Sequence, residues 1–246
     1  MEAKNHAFEA AYKLGRVDSV QFDSEDLRHA QIEDAAFYNC RFSECRFDEA
    51  RIGKSRFVNC RFVHCTFRQA EFLDCLFIDG EGQTGSAWEF CDLTEVRFVQ
   101  CNLGMNKFFK SEAYLLAFEE CAAVGMSFDA NVHRQMSNQV ITGGLTCLNC
   151  KMQYAVFAPA SYEESRFEGC DLRDCDFSES DLSRVSFRAS ALNTTDFAGA
   201  VLDGAVLAGA TFERLEIAVM ASYRGLIVDR GQHEAILGPL GVLTVG

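Results

Sequence analysis

The sequence predicts an all-β solenoid, a rod of stacked parallel coils, and three observations point there. Large apolar residues recur at every fifth position, as Phe37, Phe42, Phe47, Ile52, Phe57, Phe62, Phe67, Phe72 and Phe77. A small residue stands two positions before each: Ala35, Cys40, Cys45, Ala50, Ser55, Cys60, Cys65, Ala70 and Cys75. Cysteines also recur at twenty residues, in the pairs Cys40/Cys60, Cys45/Cys65, Cys101/Cys121 and Cys150/Cys170. A period of five fits neither a helix nor a simple strand, and fixed self-similarity decides the fold before any local assignment. In an extended segment, residues two apart point the same way. Each pentad therefore offers one large and one small inward group, and its other three residues turn a corner. One segment cannot bury such a pair; coils stacked at about 4.8 Å can.

Composition agrees. At 246 residues the chain has the length of one or two globular domains, but a solenoid needs no division. Proline is confined to Pro159 and Pro239. Lys and Arg total 23 against 36 Asp and Glu, a net charge of −13. That balance argues against direct nucleic-acid binding and favours a basic protein surface, including that of a protein whose own partner is DNA. The same acidity keeps a rod with open strand edges soluble. Of the twelve cysteines, eleven occupy the small inward slot and Cys147 a central position. Free cysteine is a small, commonly buried hydrophobe, and stacked thiols suit a reducing compartment. No secretory h-region opens the chain and no apolar run has membrane-span length, so a cytoplasmic location without membrane contact is expected.

The elements follow in order. Tyr12 and Val17 share the register of Phe22, Leu27 and Ile32, while residues 7–14 also suit a short helix capping the first coil. From Phe22 to Phe77 the phase never changes. Trp88 restarts the count eleven residues after Phe77, so the glycine-rich stretch 79–87 is expected to be a loop. Leu93, Phe98, Leu103, Phe108, Phe118 and Phe128 continue the repeat, with Ala113 and Ala123 as weak central residues. A second break, 129–145, carries no large residue at the expected spacing, and long excursions on rigid scaffolds are often functional. The repeat runs again from Met152 to Ile217, with Asp171, Asp174, Asp176, Glu179 and Asp181 outward as an acidic face. Residues 1–217 are thus expected to be the solenoid and 218–246 a capping and dimerisation segment. In that segment Asp229 to Gln232 reads as a capping box, Ala235, Ile236, Leu237 and Leu240 as an apolar helix face, and 241–246 as a closing strand.

The pentads CRFSE, CRFDE, CRFVH, CDLRD, CDFSE and SDLSR resemble the pentapeptide-repeat family. The resemblance implies a right-handed quadrilateral parallel β-helix with four pentads per coil. The short loop, the longer loop and the terminal apolar helix further resemble the Qnr group of quinolone-resistance proteins. That likeness implies a mechanism without chemistry. An acidic, DNA-mimicking rod binds DNA gyrase or topoisomerase IV, its loops engage the enzyme and exclude a poison, and its tail forms a homodimer. The implied partner-binding residues are Asp79, Glu81, Gln83 and Thr84 in the first loop. In the second they are Asn131, His133, Arg134, Gln135, Met136, Asn138 and Ile141. Dimerisation falls to Ile236, Leu237, Leu240 and Val242.

Other readings fare worse. Gly80, Gly82 and Gly85 match the spacing of a dinucleotide fingerprint, but no strand–helix context accompanies them. Cys147 and Cys150 form a CxxC without the second ligand pair that zinc requires. The five histidines are scattered, and no nucleophile and base can be paired. An enzyme is not expected, nor a cofactor or metal. The alternative to topoisomerase protection is a generic scaffold or adaptor rod without a topoisomerase partner.

Overall fold

The computed structural model describes residues 8, 12, 13, 15–81, 83–136 and 139–243. They form a four-sided parallel β-solenoid closed by a short helix near the C terminus. The faces are numbered I to IV in chain order from Val17. Face II is a seven-stranded parallel sheet of Gln21–Asp23, Arg41–Ser43, Arg61–Val63, Ala87–Glu89, Lys107–Glu112, Ser127–Asn131 and Val156–Phe157. Face IV is a second seven-stranded sheet, from Gln31–Glu33 to Arg166–Glu168. Face I starts as Val17–Asp18, Ala36–Tyr38 and Arg56–Val58 and continues through single bridges such as Leu76 to Asn102. Face III is held by single bridges, from Asp26 to Arg46 onward, except where the strands Lys107–Glu112 and Ser127–Asn131 reach round the corner and pair Glu112 with Asn131.

Central residues stack in register, Phe22 on Phe42, Phe42 on Phe62, and Phe62 on Trp88. Ring centroids lie 5.0 Å apart for Phe42 and Phe62 and 4.4 Å for Phe62 and Trp88. The larger indole is accommodated because its Nε1–H donates to Asn106 Oδ1 at 3.1 Å, so no buried polar group is left unpaired. Coils turn at the residue two past each central one, which takes a left-handed conformation, as at His29 (φ 59), Asp34 (φ 54) and Asn39 (φ 53). That conformation costs most L-residues about 1–2 kcal/mol, and Asn, Asp and His tolerate it best. The later coils place Gly199, Gly204, Gly209 and Gly225 there.

The small inward slot explains the cysteines. Cys45 Sγ donates toward Phe22 O and Ser43 O, each at 3.4 Å, and Ser55 Oγ likewise donates to Gly53 O at 2.8 Å. A thiol or hydroxyl there fills a narrow space and satisfies backbone carbonyls. Cys147 instead occupies a central position, in register with Phe118 and Phe167. All twelve cysteines are free and buried. Burial pushes the Cys175 thiol up to about 12, far from reactive thiolate. Thiol titration of denatured, unreduced protein should therefore find all twelve, with slow labelling of the native rod. A deficit of two or more would contradict the packing role.

Glu25 is the misfit in that slot. It is 5% exposed, its Oε2 has no partner, and burial raises its pKa. A carboxyl with a raised folded pKa favours the folded state at acid pH and loses that contribution as pH rises through the folded value. Glu25→Ala should therefore raise the melting temperature at pH 7 by more than at pH 4. Calorimetry at both pH values checks this; a lower melting temperature at pH 7 would assign Glu25 a stabilising role.

Both ends are covered. Phe8, in helical conformation and 3% exposed, packs its ring 5.5 Å from Phe22 and 5.4 Å from Phe37. Tyr12 is helical too, and its hydroxyl donates to Glu33 O at 2.7 Å. Tyr12 thus belongs to a cap, and Val17, paired with Phe37, begins the coils. At the other end the ladder passes the expected boundary at 217, with bridges from Val201 to Ser222 and from Val206 to Ile227. One added residue hides this from the five-residue count. Leu182 N–H reaches Val201 O, nineteen residues on, whereas Leu202 N–H reaches Ser222 O, twenty residues on. The capping box is present, with Gln232 Oε1 accepting from Asp229 N–H at 2.7 Å. It opens a 3-10 turn, Arg230–Gln232, which runs on into helix α1, His233–Leu237, and a second 3-10 turn, Gly238–Leu240. Gly241–Leu243 form no strand, and the rest of the expected closing strand lies outside the described residues.

Candidate partner-binding site

The first loop adds six residues to one coil, because Phe62 pairs with Trp88 where a regular coil would bring residue 82. Its stem is closed by an antiparallel bridge between Ile78 and Gly85 and by Asp79 N–H donating to Thr84 O at 3.0 Å. Asp79 Oδ1 accepts from Gln83 N–H at 2.8 Å, so this carboxylate pins the loop. Gly85 must be glycine, since a Cβ would overlap the Met105 backbone. Glu81, Gln83 and Thr84 remain exposed.

The second loop is shorter than the sequence suggests. Asp129, Ala130 and Asn131 stay in the face II sheet opposite Phe109, Ser111 and Glu112, across a bulge that skips Lys110. Val132 is fully buried. The excursion therefore begins at His133 and not at Asp129; the four-residue step from Phe128 to Val132, together with the bulge, disguises one more regular corner. Beyond it Arg134–Met136 and Gln139–Ile141 pair as an antiparallel hairpin. Arg134, Val140 and Ile141 are exposed, and Val140 was not among the expected contact residues. Asn138 lies outside the described residues.

His133 is 8% exposed and holds the hairpin base, with Nε2 3.0 Å from Ser161 Oγ and Gly143 N–H donating to Nδ1 at 3.4 Å. Asn131 braces it, its Oδ1 accepting from His133 N–H at 3.1 Å. Gly143 lies against the Tyr114 ring so closely that a Cβ would overlap it. Asp79, Asn131 and His133 therefore support the loops, while Glu81, Gln83, Thr84, Arg134, Val140 and Ile141 form their outer surface.

The acidic residues do not share a face. Asp171 bridges Lys151 and Ala191 on face I, Asp176 bridges Val156 and Asp196 on face II, and Asp181 bridges Ser161 and Val201 on face III. Asp174 and Glu179 stand at the corners between them. Five residues carry the chain from one side of the rod to the next, so acids close in sequence become a belt around one coil. Several rod carboxylates are also paired locally. Arg173 lies 2.6 Å from Asp171 and holds its carboxyl below the usual range, and Arg61 lies 2.6 Å from Glu89. Such exposed pairs contribute about 0–1 kcal/mol each.

In the tail, Ile236 is 8% exposed and joins the core as part of the cap, whereas Leu240 and Val242 are 44% and 47% exposed. Leu237 is half-buried. Among the described residues no cluster of three His, Cys, Asp or Glu is arranged to hold a metal, and no helix is long and apolar enough to cross a membrane.

Comparison with known proteins fits this geometry. Residues 17–108 match a family model described as pentapeptide repeat region, and residues 150–188 and 180–214 match one described as pentapeptide repeats (8 copies). The chain belongs to the pentapeptide-repeat family. The internal stretch of this pentapeptide-repeat protein between the two matched regions, 109–149, contains the bulge and the second loop. Full-length QnrB1, described as a plasmid-mediated fluoroquinolone resistance protein, superposes with a TM-score of 0.73 at 21% identity, covering 92% of this chain and 100% of QnrB1. A trypsin-treated QnrB1 variant gives a TM-score of 0.65 at 21% identity, covering 94% and 99%. None of the curated proteins searched matches the chain.

Proposed function

We propose that this pentapeptide-repeat protein is a non-enzymatic, cytoplasmic binding protein that protects DNA gyrase or topoisomerase IV from a quinolone or another gyrase poison. The observation that carries the reading is the end-to-end likeness to QnrB1, a fluoroquinolone resistance protein, in a rod interrupted by two anchored loops. Regular coils need no such loops for stability, and their outer residues are free for contact. The net charge of −13 favours a basic partner surface. Because the acids form a belt, imitation of DNA by one acidic stripe is the weaker half of the mechanism and loop contact the stronger. The test is gyrase supercoiling with and without a fluoroquinolone as the protein is titrated. Restored supercoiling in the presence of drug is expected; no binding and no rescue would leave a scaffold rod without a topoisomerase partner.

The proposal includes a homodimer through the tail, built on Leu240 and Val242, with Leu243 alongside at 93% exposure. Scattering should report twice the chain mass. Removal of residues 238–246, which spares Ile236 and helix α1, should give a folded monomer. An intact chain that remains monomeric would refute the dimer.

A further inference from the structure

A second aromatic column runs outside the rod, along the corner between faces II and III. His64 stacks on Phe90 with centroids 5.1 Å apart, and Phe90 meets Phe109 edge-on at 5.5 Å. Lys110 Nζ stands 5.2 Å from the Phe109 ring centroid. Phe90 and Phe109 are 44% and 42% exposed, so neither ring fills the core. Phe90 also occupies a left-handed corner at φ 54, as Met105, Leu115 and Tyr154 do at theirs, and a polar residue such as Asn would be easier to hold there. Stability does not explain that choice.

The surrounding charge is unusual for this chain. Lys107 and Lys110 make no ion pair among the described residues, whereas Arg61 on the same face is paired with Glu89. The acids around the patch are Glu89, opposite Phe109 and held by Arg61, Glu112, two residues after Lys110, Asp129, opposite Phe109 on the next coil, and Glu44, one coil before His64 on the same corner. In a protein of net charge −13, unpaired ammonium groups beside exposed rings complement carboxylates on an apolar partner surface. The same net charge disfavours nucleic acid. The column also lies in the coils between the loops. Trp88 follows the first loop directly, and Asp129, opposite Phe109, belongs to the strand that leads into the second.

We infer that Phe90 and Phe109, flanked by Lys107 and Lys110, form a docking surface for an apolar, carboxylate-bearing segment of the topoisomerase protein. This rests on the protection function proposed above. A partner gripped by both loops would cross these coils, and exposed aromatic groups ringed by charge are typical interface anchors.

The test measures affinity for purified gyrase holoenzyme together with melting temperature. Phe90→Asn combined with Phe109→Ser should weaken binding about tenfold or more, while the melting temperature holds or rises because Asn tolerates the left-handed corner. Lys107→Glu with Lys110→Glu should weaken binding most at low salt. Unchanged affinity in the aromatic variant overturns the docking surface while leaving the protection reading intact. A melting temperature that falls in step with affinity assigns the rings to the scaffold and also overturns it. Binding of duplex DNA by the unaltered chain, lost in the lysine variant with gyrase affinity unchanged, assigns the patch to nucleic acid. If the unaltered chain does not bind gyrase, the docking surface and the protection reading both fail.

Discussion

Phe62→Ala is expected to lower the unfolding free energy by about 3–5 kcal/mol, and Arg61→Ala to change it by no more than about 0.5 kcal/mol. The two residues are neighbours in sequence and opposite in environment. Phe62 is 1% exposed, stacked between Phe42 and Trp88, with Phe57 and Phe67 at its edges. Its removal leaves a hole at two coil interfaces, and rigid stacked neighbours cannot collapse into it. Arg61 is 55% exposed at its side chain and loses one screened pair with Glu89. Because coils touch only their neighbours, the loss should also favour partial opening of the rod near the first loop. Chemical denaturation followed by far-UV circular dichroism gives both values. Equal midpoints for the two variants would overturn the inward register.

Deletion of residues 134–141, rejoined through glycine, is expected to leave the melting temperature nearly unchanged and to abolish protection of gyrase. The hairpin pairs with itself, and Val140 is 61% exposed, so little core is lost. The limits of the deletion matter. A cut beginning at Asn131 would remove Val132, which is fully buried, and would open the column. His133 should stay, because its contact with Ser161 closes the base. Supercoiling rescue and calorimetry on the same preparation decide the outcome. A shortened rod that protects as well as the intact one would end the case for loop contact, and one that loses protection only by unfolding would leave the loop without a direct role.

The radial half of this structure is written in its amino acids. A five-residue period states which side chains point inward, and in a rod of stacked coils that information is nearly the whole core. Phe37 to Phe77, the thiol slots and the central place of Cys147 were legible for that reason. The capping box at Asp229 was legible because it is local. What lies above what is visible only once the coils are stacked. Alignment along the axis depends on counting twenties across each insertion, and a one-residue change shifts every later neighbour. Hence the step from Phe128 to Val132 hid a regular corner, and one added residue before Ser222 hid the last turns. Hence also Asp171, Asp176 and Asp181, close in sequence, stand on three sides of the rod, while His64, Phe90 and Phe109, far apart in sequence, meet on one corner. In a solenoid, sequence distance below one coil is angle, and only whole coils are height.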